Sequence, residues 1–214
     1  MLQPQDKRLA LQAYEQILDL IQSKRAQPGE IVTERRLAEM LDMSRTPIRD
    51  ALLMLEGEGL LIRRGTRGLQ VKQIRIEDFM DALQIRSLLE PAMARMAAGR
   101  IPAGDLDSLR NQLQTLAAGG ENDRMSVREV DERLHEMIAR AAGNPQLEQI
   151  IRTVRRQTQM FDLRSMPERL GDTCAEHIAI VDAIASGNAE ASAKAMADHL
   201  SAVRRAIVAR LTGG

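Results

Sequence analysis

Apolar residues recur along the first part of the chain with the spacing of amphipathic helices. From Ala10 to Ile21 they are three or four residues apart, which predicts a helix that ends before the turn signal at Pro28. Two shorter helical patterns follow. We expect Thr33 to cap the first of them and Ser44 to cap the second, because each hydroxyl stands just before an apolar-periodic run.

The period of the pattern changes after the third helix. Residues 60–64 and 69–72 are typical of two short strands, and residues 65–68 between them are typical of a hairpin turn. A helix, a helix-turn-helix and then a hairpin make the plan of a winged helix-turn-helix. We therefore predict this fold for residues 1–74.

A helical pattern occupies the rest of the chain from Ile76 onward. Breaks rich in glycine and proline divide it into about six helices. The predicted fold class is mainly α, with an all-helical bundle over residues 75–214 behind the winged helix-turn-helix. The segment from Lys72 to Glu77 is a short hinge, so movement in the second domain can be transmitted to the first.

Composition excludes several classes of protein. No apolar run approaches the roughly 20 residues of a membrane span, so we expect no membrane partner. The one cysteine and the lack of an apolar signal core predict a cytoplasmic protein. The 30 basic and 30 acidic residues give a formal net charge of zero, which disfavours a non-specific architectural DNA-binding protein.

Positive charge is nevertheless concentrated in the third helix and the hairpin. Residues 44–49 and 61–68 contain arginines and no acidic residue. The first turns of a recognition helix reach base edges in the major groove, and a basic hairpin can contact phosphates. A solvated surface is the alternative for any single arginine. The candidate DNA-binding residues from this pattern are Arg35, Ser44, Arg45, Thr46, Arg49, Arg63, Arg64 and Arg67.

Three histidines and an aspartate form a candidate metal site. Asp131 and His135 are four residues apart and share one helix face, while His177 and His199 lie on later helices. Three imidazoles and a carboxylate suit Zn²⁺, with Ni²⁺ or Mn²⁺ as alternatives. Each histidine could instead be an ordinary residue at the edge of the core. Cys174, three residues before His177, is a rival ligand.

The N-terminal motifs resemble those of a known family. The runs at residues 33–39, 44–52 and 55–60 resemble the DNA-binding domain of GntR-type bacterial transcription regulators. Arg36 departs from this pattern, since the family more often has glutamate there. By this resemblance the residues that contact operator DNA include Arg35, Arg45, Thr46, Arg49 and the wing-tip glycine Gly65.

The remainder of the chain is similar to the FCD ligand-binding domain of the FadR subfamily of these regulators. The similarity covers residues 76–211, and the presence of about six helices suggests the VanR-like branch. It assigns metal ligation to Asp131, His135, His177 and His199. Arg86 matches a family arginine that could anchor a ligand carboxylate by two hydrogen bonds, or it could pair only with Glu90 one turn later.

The resemblance implies a metabolite-responsive repressor that binds double-stranded operator DNA as a homodimer. A small carboxylate is the expected effector, bound near the metal. The alternative function is a metal-dependent hydrolase. His135-Glu136 could begin an H-E-x-x-H motif, but Ala139 stands where the second histidine is needed. We therefore predict that the protein is not an enzyme.

Overall fold

The computed structural model describes residues 4–65, 68–119, 124–160 and 169–212. The chain divides into two compact units. One contains residues 1–79 and 156–161, and the other contains residues 80–155 and 162–214. No helix within the described ranges is both long enough and apolar enough to cross a membrane.

The first unit contains the predicted winged helix-turn-helix. Its elements are α1 (Pro4–Gln22), β1 (Ile31–Val32), α2 (Glu34–Leu41), α3 (Arg45–Gly57), β2 (Leu61–Arg63) and β3 (Leu69–Val71). The hairpin of β2 and β3 is antiparallel, and the additional strand β1 pairs with the other edge of β3 to give the order β1-β3-β2. Buried residues of the three helices and of the sheet form one apolar core, with Ile48 and Leu55 fully enclosed.

The two predicted helix caps differ in outcome. The hydroxyl of Thr33 accepts a hydrogen bond from the backbone N–H of Arg36, as predicted. Ser44 occupies the predicted N-cap position of α3, but among the described residues its side chain makes no capping hydrogen bond. Pro47 at the third helical position has no N–H, so one of the two backbone donors that a capping hydroxyl can use is absent.

Six helices follow within the described part of the chain, as predicted. They are α4 (Ile76–Ala97), α5 (Ala103–Ala117), α6 (Arg124–Ala141), α7 (Pro145–Met160), α8 (Leu170–Ala185) and α9 (Ala189–Thr212). Between α8 and α9, Gly187 has φ +70°, a left-handed conformation that glycine adopts without strain, and this reverses the chain after α8. Large apolar residues such as Leu109, Leu134 and Ile180 are buried in the second unit.

Candidate metal centre and DNA-binding surface

Three histidines from three helices meet inside the second unit. His135 on α6, His177 on α8 and His199 on α9 are each 3% exposed or less. One ring nitrogen from each lies within 4.8 Å of the others, and the Nε2 atoms of His177 and His199 are 3.4 Å apart. The folding of the bundle thus brings together imidazoles that are up to 64 residues apart in the sequence.

Asp131 lies beside this histidine cluster. Its Oδ1 atom is 3.7 Å from Nε2 of His135 and 3.6 Å from Nε2 of His177. Its Oδ2 atom accepts a hydrogen bond of 2.7 Å from the Arg155 guanidinium on α7. All four predicted ligands are therefore neighbours. Cys174 is buried on α8. Among the described residues, the group that could hold a metal ion consists of the three histidines and does not include this thiol.

Two carboxylates orient the histidine rings from outside. Nδ1 of His135 is hydrogen-bonded to Glu90 on α4, and Nδ1 of His199 donates to Oε2 of Glu176 at 2.8 Å. Because an ionised carboxylate only accepts hydrogen bonds, each Nδ1 carries the proton and each Nε2 presents a lone pair. Within the described part of the chain, the buried Nε2 of His135 has no hydrogen-bond partner.

The protonation states suit a cation. Burial, assisted by the positive charge of Arg155, lowers the pKa of His135 to about 4. Burial and the neighbouring His199 also lower the pKa of His177 well below its ordinary value. Burial would raise the pKa of Asp131, but Arg155 and the histidines together bring it below its ordinary value. At neutral pH His135 and His177 are therefore neutral imidazoles and Asp131 is a carboxylate, which are the forms that bind metal ions.

The donor set fits a divalent ion of borderline softness. Leaving a buried nitrogen lone pair without a partner costs free energy, and a cation among the Nε2 atoms would remove that cost. Three imidazoles and a carboxylate are ligands that Zn²⁺ accepts. The three histidines could thus hold a metal ion, with Asp131 adjacent to them.

Three residues near the centre, Glu90, Arg155 and Glu176, are not among the predicted site residues. Glu90 was considered only as a partner of Arg86, yet it also orients His135. Arg155 is buried and engages Asp131. The available signal for Arg155 is its place four residues after the buried Ile151, on the apolar face of α7, where a charged side chain is unusual.

The structure contains the intrahelical ion pair between Arg86 and Glu90, which is one of the two roles that the sequence allows for Arg86. Arg86 is buried, and its Nε atom donates to Oε1 of Glu90 at 2.5 Å. Arg86 also contributes to lowering the pKa of Asp131, which burial alone would raise. The guanidinium is therefore close enough to the metal centre to act on it electrostatically.

The candidate DNA-binding residues lie on the surface of the first unit. Arg35 is on α2, Arg45, Thr46 and Arg49 are in the first two turns of α3, and Ser44 precedes them. The described candidates are all exposed, namely Arg35, Ser44, Arg45, Thr46, Arg49, Arg63, Arg64 and Gly65. Arg67 lies outside the described residues. The first turn of α3 contains no acidic side chain, so its free N–H groups and its arginines together favour a phosphate.

The tip of the wing depends on a glycine conformation. Gly65 has φ +58°, and a Cβ atom built there would meet nothing within 4 Å. The restriction at this position is therefore the left-handed backbone rather than lack of space. Arg64 beside it donates through Nε to Gln70 on β3 at 2.6 Å.

Comparison with known proteins identifies the family. Residues 9–71 match the model of the bacterial regulatory proteins of the gntR family, and residues 81–202 match that of the FCD domain. A relative in Paenarthrobacter nicotinovorans, named "Probable D-xylose utilization operon transcriptional repressor", is 30% identical over 177 residues, which are 81% of this chain and 77% of that protein. The chain belongs to the GntR family.

Further similarities agree with this assignment. The Nta operon transcriptional regulator of Aminobacter aminovorans is 32% identical over 128 residues, 60% of this chain and 60% of that protein. The solved structure of Escherichia coli McbR/YncC covers 99% of this chain with a TM-score of 0.81 at 21% identity, and the match takes in 100% of that chain, so it shows the same fold. Members of the family are DNA-binding transcription regulators and not enzymes, which confirms the prediction against catalysis.

Proposed function

We propose that this GntR regulator is a repressor whose DNA affinity responds to a metal-bound small organic acid. Residues 1–74 would bind operator DNA, and residues 75–214 would bind the effector and form a homodimer. The observation that carries the proposal is the buried, unpartnered Nε2 of His135 beside the Nε2 atoms of His177 and His199, within the described residues. The repressor role rests on the name of the Paenarthrobacter relative.

Asp131, His135, His177 and His199 would hold the ion, with Zn²⁺ favoured and Ni²⁺ or Mn²⁺ as alternatives. When bound, the ion supplies a positive charge with a coordination position for an acceptor oxygen. Glu90 and Glu176 keep two of the rings in the orientation that ligation needs.

The charges around the centre favour an anionic effector. The guanidiniums of Arg86 and Arg155 balance the carboxylates of Glu90 and Asp131, and His135 and His177 add no charge because their pKa values are lowered. A divalent ion then leaves an excess of positive charge in a mostly buried site. A small carboxylate would offset that excess, and Arg86 could give it two directed hydrogen bonds.

Two features support a homodimer on two-fold symmetric DNA. Recognition helices of this class read half-sites in successive major grooves, which matches the symmetry of a dimer. On α4, Leu88 is 70% exposed and Ile85 is 41% exposed, one turn apart, and a second copy packed on this face would bury both side chains. The DNA contacts would come from the exposed α2, α3 and wing residues described above, together with Arg67.

Substituting Arg86 by lysine tests the effector site. Lysine keeps the charge but loses the planar fork, so we expect it to weaken carboxylate binding by roughly tenfold, the loss of about one charged hydrogen bond. The measurement is the melting temperature of the zinc-loaded protein in titrations with acetate, succinate and other small carboxylates.

The control for this test is Arg95→Lys. Arg95 is on the same helix and also pairs with a carboxylate, that of Glu190, but both side chains are exposed. The control should respond to carboxylates at the same concentrations as the wild type. If Arg86→Lys also does so, Arg86 serves only to hold Glu90. Metal content measured alongside distinguishes effector binding from removal of zinc by the carboxylate.

A further inference from the structure

Two arginines of the proposed DNA-binding surface are held by carboxylates, Arg63 by the nearby Glu56 and Arg49 by Glu34 from another helix. Arg49, in the second turn of α3, donates from Nε to Oε1 of Glu34 at 2.8 Å and from Nη2 to Oε2 at 2.9 Å. Glu34 is the first residue of α2, 15 positions earlier in the chain. The pair is a two-point fork between two different helices of the helix-turn-helix.

The carboxylate of Glu34 is ionised at neutral pH. Its hydrogen bonds with Arg49 lower its pKa below the ordinary value, and the charge of Arg45 lowers it further. A negative charge therefore stands among the arginines that would meet DNA. Its effect reaches both arginines of the recognition helix.

Stability is a weak reason for such a pair. The Arg49 side chain is 60% exposed and that of Glu34 is 36% exposed, and ion pairs this close to water contribute little to folding. A carboxylate on a surface that binds polyanions also opposes binding. The pair is better explained by its effect on how DNA is bound.

We propose that Glu34 is a specificity-determining residue of this regulator, which neutralises and orients Arg49 so that random DNA gains less from it than the operator does. This inference rests on the proposed DNA-binding surface. Non-specific binding depends on the number of phosphates that cations neutralise. With Nε and Nη2 committed to Glu34, Arg49 contributes less than a full charge to that count.

Operator binding is affected differently. In the specific complex α3 has a defined position in the groove, so a guanidinium that is already oriented loses less conformational freedom when it makes its contact. In the operator complex, the smaller loss of conformational freedom by Arg49 offsets the repulsion between Glu34 and DNA. In the non-specific complex that repulsion is not offset. Glu34 therefore weakens binding to random DNA more than binding to the operator, and this difference increases the specificity of the regulator for the operator.

The test is Glu34→Gln in the whole 214-residue chain, with DNA affinity measured by fluorescence anisotropy at several salt concentrations. The two probes are a duplex enriched from a random pool by the wild type and a scrambled duplex of the same length. We expect affinity for scrambled DNA to rise about threefold to tenfold, with a salt slope steeper by about one because Arg49 now reaches a phosphate. Affinity for the enriched duplex should change by less than about twofold.

Two further variants make the result decisive. Glu190→Gln removes the matching carboxylate from the exposed fork with Arg95 and should change neither affinity. In an Arg49→Gln background, Glu34→Gln should no longer steepen the salt slope, because the additional phosphate contact belongs to Arg49.

Unchanged affinity for scrambled DNA, or a loss confined to the enriched duplex, would overturn the inference and leave Glu34 as a structural partner of Arg49. Failure of the DNA-binding surface itself gives a different result. In that case Arg45→Ala, assayed in parallel, would bind both duplexes as the wild type does.

Discussion

Zinc binding is expected to fall by at least about a hundredfold when His177 is replaced by glutamine. Changes in the outer-shell partners of a metal already cost about tenfold to a hundredfold, and His177 would be a direct ligand. Glutamine roughly preserves the side-chain volume in a site that is 2% exposed, so the bundle is expected to fold. The measurements are zinc content after dialysis and the melting temperature with and without added zinc.

The wild type should retain about one zinc ion per chain and should melt roughly 5–10 °C higher with zinc at about 100 times its Kd. Cys174→Ala is the matched control, because this buried thiol lies one turn before His177 on α8 and is not in the histidine group of the described residues. The Cys174→Ala protein should retain about one zinc ion per chain and the same rise in melting temperature with zinc. Full zinc content in His177→Gln would contradict the site, and loss of zinc in Cys174→Ala would make the thiol a ligand.

Arg45→Ala is expected to weaken binding to the enriched duplex by about 1–3 kcal/mol, a factor of roughly 5 to 150. Arg45 is exposed at the first position of α3, the end of a recognition helix that reaches base edges. Affinity for a scrambled duplex should fall much less, so that the ratio between the two affinities decreases. Anisotropy titrations of both duplexes at one salt concentration give this ratio.

Two further variants distinguish contacts with base edges from the non-specific attraction between positive charge and phosphates. Arg45→Lys should retain binding to scrambled DNA yet still lose preference for the enriched duplex, because lysine lacks the two-point fork that reads guanine. Arg25→Ala removes an exposed arginine that lies between α1 and β1 and pairs with Asp19. It should leave the preference unchanged. An Arg45→Ala protein with the wild-type ratio would remove Arg45 from the base contacts.

Most of the fold follows from the sequence because its helices are long and periodic. The predicted breaks rich in glycine separate helices in the structure, among them those at Gly99, Gly143 and Gly187. The strand β1 has two residues, Ile31 and Val32, which are too few to show alternation. It exists because the free edge of β3 provides partners for its backbone, and such pairing is a tertiary property.

The candidate metal centre is only partly visible in the sequence. The spacing of Asp131 and His135 predicts that their side chains are neighbours, since residues i and i+4 share one face of a helix. The charged residues around them cannot be found from spacing. Glu90 lies on α4, Arg155 on α7 and Glu176 on α8, and the partner of each depends on how the helices pack. The fork between Glu34 and Arg49 is hidden for the same reason, since neither residue is near the other in sequence.

We expect a small carboxylate bound at the metal centre to change the affinity of the protein for operator DNA. The most direct test titrates the enriched duplex with zinc-loaded wild-type protein, with and without the carboxylate that raises the melting temperature most. Reciprocal linkage predicts a change in the Kd for DNA by a factor of about 5 to 150, with Arg86→Lys requiring more carboxylate for the same change. An identical Kd in the presence of saturating carboxylate would contradict the account.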